Sequence, residues 1–330
     1  MIDTDTLSAQ LRAATIDPAH HRLLIARLAG SDQEQDLSAP TNCDGLGRIR
    51  HFNAATRSPW PANFLPWRPA RDYLGPHVIL EGHSRAQVFQ NAACNWRCWY
   101  CYVPFNLLRA DVQRSRWVTA DELVRSYLKQ PQRAPILDLS GGQPDLVPEW
   151  AVWTLQALIE HGADTTTFLW SDDNLSNDYL FRYLSDDDLK LLAEHPGYGR
   201  VGCLKGFDAE SFAFNTAADP TLFERQLQLV ARIHSIMPKL HLYITLTAPS
   251  APADPRGVVG RLVDRLVTID ENLPSRTVPL EVLPFSPTRA RIRAEHRQAL
   301  GVQQQMIEHW LEACAATSTT GSGPTAMTRS

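Results

Sequence analysis

The sequence lacks an excess of positive charge, a long apolar run and a cysteine framework spread along the chain. Its 32 Lys and Arg stand against 36 Asp and Glu, for a formal net charge of −4, so no broad basic face for nucleic acid is indicated. No stretch approaches the ~20 apolar residues of a membrane span. The first residues, MIDTDTLSAQLRAATIDPAHH, have neither the basic start nor the apolar core of a signal peptide. We therefore expect a cytoplasmic protein with no membrane or nucleic-acid partner.

The few cysteines are unevenly placed. Cys94, Cys98 and Cys101 follow one another at close spacing, whereas Cys43, Cys203 and Cys314 are far from them and from each other. In a reducing compartment, grouped thiols indicate a metal site and not disulfides. The scattered cysteines are typical of small buried apolar side chains.

The chain divides by composition into three parts. Residues 1–85 are expected to form a partly extended N-terminal accessory region, in which Trp60 and Trp67 stand among prolines. These tryptophans are interpreted as anchors that pack the segment on a larger body, and a substrate lid is the alternative. Residues 86–316 are predicted to form the core, and 317–330 carry no core-forming residues and are predicted to be disordered.

Short apolar runs alternate with amphipathic segments through the core. The predicted strands are Gln87–Asn91, Ile136–Leu139, Thr166–Trp170, Arg200–Leu204, His241–Leu246 and Pro279–Pro284. The predicted helices are Ala120–Lys129, Pro148–His161, Asp178–Glu194, Pro220–Ile236, Gly257–Asn272 and Ala294–Ala315. This alternation predicts parallel strands with helical crossovers, as either an open doubly wound sheet or a barrel.

The segment NAACNWRCWYCYVPF gives Cys94-x3-Cys98-x2-Cys101 directly after a predicted strand. Three thiolates on one loop suit three corners of a cubane iron–sulfur cluster, which usually takes four cysteines. The missing fourth cysteine leaves one iron for a small molecule, much as a catalytic zinc keeps an open position. A closed zinc site is the alternative, and it needs a distant fourth ligand.

The same segment resembles the CxxxCxΦC signature of the radical S-adenosylmethionine (SAM) superfamily, with Tyr100 as the aromatic residue. LSGGQPDL resembles the GGEP motif of that family, with Gln143 in place of Glu. The resemblance implies a [4Fe–4S] cluster on Cys94, Cys98 and Cys101, and a partial (β/α)6 TIM-type barrel with an N-terminal extension. It implies further that SAM is bound near Tyr100 and by the loop Gly141, Gly142, Gln143 and Pro144.

Two looser similarities extend the implied SAM site. FLWSDDN ends the third strand, where relatives hold the ribose or methionine part of SAM, so Asp172, Asp173 and Asn174 are candidates; a capped turn is the equal alternative. RVGCLKGF resembles a strand in glycyl-radical activases whose lysine binds the SAM carboxylate. Lys205 matches it, and a solvated strand-end lysine is the alternative.

Strand alternation indicates where a substrate would lie. Tyr243, Thr245 and Thr247 form one polar set on the fifth strand, which suits a cavity better than a packed interior. Glu281 is expected to meet a polar ligand or an arginine, because an unpaired buried carboxylate is costly. Cys203 shares a face with Lys205 and is a candidate hydrogen-atom donor, with a buried small residue as the alternative.

The resemblance implies an enzyme that cleaves SAM reductively to a 5′-deoxyadenosyl radical, which abstracts hydrogen from a small-molecule or peptide substrate. A reductant such as flavodoxin or ferredoxin would supply the electron. Within the family, an activase that installs a glycyl radical on a protein partner and an RNA-modifying enzyme are alternatives, although the charge balance counts against RNA. Outside it, the alternatives are a non-catalytic iron–sulfur electron carrier and a zinc-binding interaction protein.

Overall fold

A computed structural model describes residues 2–53, 66–79 and 83–320, so Trp60 and residues 321–330 of the predicted tail lie outside the described residues. Its strands are β1 (Ile16–Asp17), β2 (Arg22–Ala26), β3 (Gly47–Asn53), β4 (His83–Phe89), β5 (Ser115–Thr119), β6 (Ile136–Leu139), β7 (Phe168–Asp173), β8 (Tyr198–Leu204), β9 (His241–Ile244) and β10 (Thr277–Pro279). Its α-helices are α1 (Thr4–Thr15), α2 (Trp67–Leu74), α3 (Ala120–Leu128), α4 (Glu149–Glu160), α5 (Tyr179–Tyr183), α6 (Asp186–Glu194), α7 (Ala209–Thr216), α8 (Leu222–Ile236), α9 (Pro255–Ile269), α10 (Ser286–Arg289) and α11 (Ala294–Thr320). Within these ranges, no helix has both the length and the apolar character needed to cross a bilayer.

The main sheet has the strand order β10-β9-β8-β7-β6-β4-β3. All neighbours from β4 to β10 pair in parallel, and β3 pairs antiparallel with β4 at one edge. Each of the six predicted strands overlaps or adjoins one parallel strand, so the α/β class with a parallel sheet is confirmed. The strands β3 and β10 are the two edges of this sheet, and its closure into a partial barrel stays a prediction.

Several helical features differ from the sequence prediction: α2 and α10 were not predicted, and α11 runs to Thr320, beyond the start of the tail predicted to be disordered. The single helix predicted over Asp178–Glu194 is two helices, α5 and α6, because the Ser185 hydroxyl accepts a hydrogen bond from the Asp188 N–H and starts a new helix there. The helix α7 was not predicted. It starts at a capping box of the same kind, in which the Asp208 carboxylate accepts a hydrogen bond from the Ser211 N–H.

The N-terminal region contributes to both sheets. Its helix α1 is followed by β1 and β2, and β2 pairs antiparallel with β5 from the predicted core to form a three-stranded sheet. Apolar residues of this region, such as Leu11 and Leu24, belong to the same hydrophobic cluster as the helices outside the main sheet. The apolar residues of α1 and β2 therefore pack on the core, and the boundary of the region at residue 85 stays a prediction.

The face of the main sheet on which α2 packs is apolar at the amino ends of the strands and polar at their carboxyl ends. Ala70 and Leu74 of α2 pack against Phe168 and Ile136, the first residues of β7 and β6. Burying these side chains stabilises the amino end of the sheet. The polar residues lie at the carboxyl ends of the strands, where active sites of parallel α/β folds are found.

Candidate functional site

A cavity of about 410 Å³ opens at the carboxyl ends of the parallel strands. Its lining includes every residue that the sequence predicted as a cluster ligand, a cofactor contact or a catalytic candidate: Cys94, Cys98, Cys101, Tyr100, Gly141, Gly142, Gln143, Pro144, Asp172, Asp173, Asn174, Lys205, Cys203 and Glu281. These residues come from five separate strand ends. Their convergence is a property of the fold that no local motif imposes.

The cysteine loop is braced by the N-terminal helix. Between Cys94 and Cys98, the Asn95 side chain donates to the Ser8 hydroxyl at 2.8 Å, and the Trp96 indole N–H donates to the Thr4 hydroxyl at 3.0 Å. The loop also continues the pairing of β2, since the Ala92 N–H donates to the Leu24 carbonyl at 3.1 Å. Residues far from the motif thus fix the direction in which its thiols point.

The three thiols have the chemistry of a cubane donor set. Burial raises the pKa of Cys94 and of Cys101, and it raises the pKa of Cys98 to about 12. Among the described residues, no group of three His, Cys, Asp or Glu side chains is arranged to hold one metal ion. A cubane has its irons at separate corners, so three thiolates bind three irons and need not converge on one point. The donor set therefore fits a cluster of this kind.

The glycine loop lies against the cysteine loop with no room for side chains. Gly141 and Gly142 have φ of +91° and +67°, in the left-handed region. A Cβ on Gly142 would lie 2.4 Å from the Asn91 carbonyl oxygen and 2.6 Å from that of Ala93. The Gln143 N–H closes the contact with a 2.7 Å hydrogen bond to the Ala93 carbonyl. The two loops are thus held as one unit.

The side chain of Gln143 makes hydrogen bonds at the carboxyl end of β7. Its Nε2 donates to Asp173 at 2.8 Å, and its Oε1 accepts from the Asn174 N–H at 2.9 Å. Asp173 also accepts from Arg200, which binds Asp145 as well. Asn174 keeps one side-chain oxygen buried and without a hydrogen-bond partner among the described residues. That oxygen, at the cavity wall, is an acceptor suited to a bound ligand.

Lys205 is half-buried and lies near the cysteines. Burial by itself lowers the pKa of Lys205, but the neighbouring Cys203, Tyr100, Cys98 and Cys94 raise it well above its usual value. In its charged form the lysine can hold a carboxylate or the negative charge of a thiolate-ligated cluster. Its contact with SAM and the alternative of a solvated strand-end lysine both stay predictions.

Asn215 ties the strand ends to the cysteine loop. Its Nδ2 donates to the carbonyls of Lys205 at 2.9 Å and Thr247 at 3.0 Å. Its Oδ1 accepts from the Trp99 indole at 3.0 Å and from the Thr247 hydroxyl at 2.7 Å. The residue is fully buried, and it fixes three parts of the site with one side chain. Asn215 was not predicted as a site residue, because α7 was not predicted.

The polar set predicted on the fifth strand is only partly at the cavity. Tyr243 lines it, but β9 ends at Ile244 and neither Thr245 nor Thr247 is among the lining residues. Thr245 instead bonds the Tyr100 hydroxyl at 2.9 Å. The expectation that both threonines face a substrate is therefore wrong, because their hydroxyls are taken up by hydrogen bonds to Tyr100 and Asn215.

The two catalytic candidates both reach the cavity. Cys203 is 8% exposed and burial raises its pKa to about 12, so it is a neutral thiol. Glu281 lies on the segment after β10, among apolar neighbours that also line the cavity. Both assignments stay predictions.

Three inward-facing charged residues were missed. Arg48 and Arg50 lie opposite Val88 and Ala86 in the β3–β4 register, and Val88 in turn lies opposite Asp138. They therefore face the same side of the sheet, and both arginines line the cavity. The period-2 spacing of the arginines was the available signal, but β3 lies in a region with no clear overall pattern.

Comparisons with known proteins give limited similarity. No family model matches the chain, and no curated protein matches it. Crystal structures of Streptococcus suis SuiB align with it, one of them bound to S-adenosylmethionine, at 15% and 16% identity and a TM-score of 0.39. The alignments cover 56% of this chain and 37% and 36% of SuiB. Such a likeness is too low to assign a fold family or an activity, so the functional conclusion rests on the site itself.

Proposed function

We propose that this chain is a radical SAM enzyme that acts on a small-molecule or peptide substrate. The observation that carries the proposal is the convergence of Cys94, Cys98 and Cys101 with the Gly141–Pro144 loop and Lys205 on one cavity. A zinc site or a purely structural role for these cysteines would leave the glycine loop and the half-buried lysine unexplained.

The residues present fit both cofactors. Cys94, Cys98 and Cys101 would hold a [4Fe–4S] cluster and leave one iron for SAM. Gly141 and Gly142 would give the ligand access to backbone oxygens. When bound, the reduced cluster supplies the electron that cleaves SAM to methionine and a 5′-deoxyadenosyl radical, which takes a hydrogen atom from the substrate.

The other residues bind, orient and shield. Lys205 would neutralise the SAM carboxylate, and the unpartnered oxygen of Asn174 would accept a hydrogen bond from the ligand. Asp172, held by the Ser140 hydroxyl at 2.5 Å, would face the rest of the SAM molecule. The enclosing apolar residues keep water and stray hydrogen donors away, which a radical reaction requires.

The experiment is anaerobic reconstitution with iron and sulfide, reduction with dithionite and addition of SAM. We expect about four irons per chain and the formation of 5′-deoxyadenosine together with methionine. Cys98→Ala should lose the iron and the product. Cys314→Ala is the matched control, because Cys314 lies outside the cavity lining and should leave both unchanged.

Two results would contradict the proposal. A protein that purifies with zinc and takes up no iron would be a zinc-binding protein. A brown protein that forms no 5′-deoxyadenosine and whose spectrum ignores SAM would be an electron carrier. A flavodoxin or ferredoxin as the physiological reductant, the cytoplasm as its location and a partial barrel as its fold belong to the same proposal.

A further inference from the structure

The side of the cavity that the SAM motifs do not occupy is built by the N-terminal region. We name it the N-terminal wall, and it consists of Gln33, Asp36, Leu37, Ser38, Arg48, Ile49, Arg50 and His51. None of these residues belongs to a motif that resembles a known family. Their presence in the cavity lining raises the question of what they bind.

Two polar side chains of the wall have unused hydrogen-bonding capacity. Gln33 is 3% exposed, and neither its Nε2 nor its Oε1 has a hydrogen-bond partner among the described residues. Arg48 is 9% exposed, and its Nε likewise has none within those ranges. Buried polar groups are nearly always paired, so each of these atoms indicates a missing partner.

Arg48 is held in place but only weakly satisfied. Its Nη2 lies 3.4 Å from the Tyr102 hydroxyl, and its guanidinium lies 5.3 Å from the centre of the Tyr102 ring. These contacts orient the side chain and leave the Nε–H for another acceptor. A guanidinium edge with two N–H groups matches the two oxygens of a carboxylate.

The neighbouring acids have partners of their own. Asp36 accepts from the Ser286 N–H at 2.7 Å and from the Ser286 hydroxyl at 3.0 Å. Asp172 is bonded to Ser140, and Asp138 lies 3.9 Å from Arg50. Burial and the charge of Asp172 raise the pKa of Asp138 to about 8, which weakens this carboxyl as a counter-ion for Arg48 at neutral pH.

We infer that Arg48 and Gln33 bind a carboxylate of the substrate, so that the N-terminal region selects a carboxylate-bearing small molecule. One guanidinium and one neutral amide suit a single negative charge, and the other arginine of the wall, Arg50, lies 3.9 Å from Asp138. The cavity volume is in the range of small-molecule pockets. This inference rests on the proposed function, because the same cavity must hold SAM.

Three probes that share a phenyl ring and differ in their polar group test the inference: phenylacetate, phenylacetamide and phenyl phosphate. Binding is measured by calorimetry on the cluster-loaded protein, with SAM present and without it. We expect phenylacetate to bind about tenfold more tightly than phenylacetamide, as a charge-assisted hydrogen bond provides. Arg48→Gln should abolish this preference, and Arg48→Lys should retain part of it. Gln33→Leu should weaken the binding of phenylacetate a few-fold.

Arg116→Gln is the matched control. Arg116 lies on the three-stranded sheet with its side chain 47% exposed, and its loss should leave every affinity unchanged. Circular dichroism and thermal melting check that the Arg48 variants remain folded.

The outcomes separate the two proposals. If the wild type cleaves SAM but binds phenylacetate no better than phenylacetamide, the inference is overturned and the proposed function stands. It is also overturned if phenyl phosphate binds most tightly of the three probes. A third contrary result is an Arg48→Gln protein whose SAM affinity is tenfold weaker but which still prefers phenylacetate to phenylacetamide, since Arg48 would then bind SAM. If the wild type does not cleave SAM but keeps the Arg48-dependent preference, the proposed function fails and the carboxylate site remains.

Discussion

The Nε2 of Gln143 donates a hydrogen bond to the carboxylate of Asp173 at 2.8 Å, across 30 residues of sequence. The direction of this bond is fixed, because the Oε1 of the same amide accepts from the Asn174 backbone N–H. At this position the motif of the resembling family has glutamate. A glutamate here would place a second carboxylate against Asp173, whose Arg200 partner is already shared with Asp145. The glutamine is therefore matched to the aspartate.

Gln143→Glu is expected to destabilise the protein at neutral pH by about 3 kcal/mol, since it leaves a buried charge uncompensated. The loss should shrink as the pH falls, because the introduced carboxyl, once protonated, can donate to Asp173 as the amide does. Urea denaturation at several pH values measures it. Gln132→Glu, at an exposed position, is the control and should change little. Equal losses for both variants would contradict this account of Gln143.

The close approach of the glycine loop gives a second prediction. Gly142 and Gly162 have nearly the same φ, +67° and +61°, but a Cβ on Gly162 meets nothing within 4 Å. Gly162→Ala should therefore show only the cost of the left-handed backbone, about 1 kcal/mol. Gly142→Ala adds contact with two carbonyl oxygens and should cost about 3 kcal/mol.

The second readout for this pair is SAM binding. Gly142→Ala should weaken it by displacing the glycine loop from the cysteine loop, and Gly162→Ala should leave it unchanged. If the two variants are equally stable and bind SAM equally, the contact between the loops does not constrain the site.

Asn215 is expected to be among the most sensitive positions in the site. Asn215→Ala removes four hydrogen bonds and leaves the Trp99 indole N–H without its acceptor. We therefore expect the free energy of unfolding to fall by about 3 kcal/mol. We also expect less iron per chain after reconstitution, since the cysteine loop loses its side-chain attachment to α7 and keeps only two backbone hydrogen bonds to that helix. Asn106→Ala, an exposed substitution on the segment that follows the cysteines, is the control. An Asn215→Ala protein with full iron content would show that the cysteine loop holds its shape without this residue.

The strand and motif positions were predictable because they depend on local pattern. Alternating apolar runs located all six parallel strands, and the spacing of Cys94, Cys98 and Cys101 singled out the loop. The partner of Gln143 was not predictable, since Asp173 meets it only when two parallel strands pair in register. Arg48 was missed for a related reason: its inward direction follows from the pairing of β3 with β4, and β3 lies in a segment without clear periodicity. Thr245 and Thr247 were misplaced because the partners of their hydroxyls, Tyr100 and Asn215, lie elsewhere in the sequence.

Asp138 gives the last prediction, which concerns pH. Both of its carboxylate oxygens lack hydrogen-bond partners among the described residues. Burial, followed by the charge of Asp172, raises its pKa from 3.8 to about 8. Between these two values the folded protein holds a proton that the unfolded chain has released. Stability contributed by this proton is thus complete at the acid end of the window and is lost as the pH rises towards 8.

Asp138→Asn removes this titration and keeps the shape of the side chain. The melting temperature of the wild type should therefore fall relative to that of Asp138→Asn as the pH is raised from about 5 to about 8. The carbonyl infrared band of protonated carboxylic acids should be stronger in the wild type than in the variant at neutral pH, the remainder coming from other buried carboxyls such as Asp145, whose pKa burial raises to about 7. Parallel melting profiles, together with bands of equal strength, would mean that Asp138 is ionised in the folded protein. Arg50, 3.9 Å away, would then be its counter-ion, and the cavity would carry one more negative charge beside Arg48.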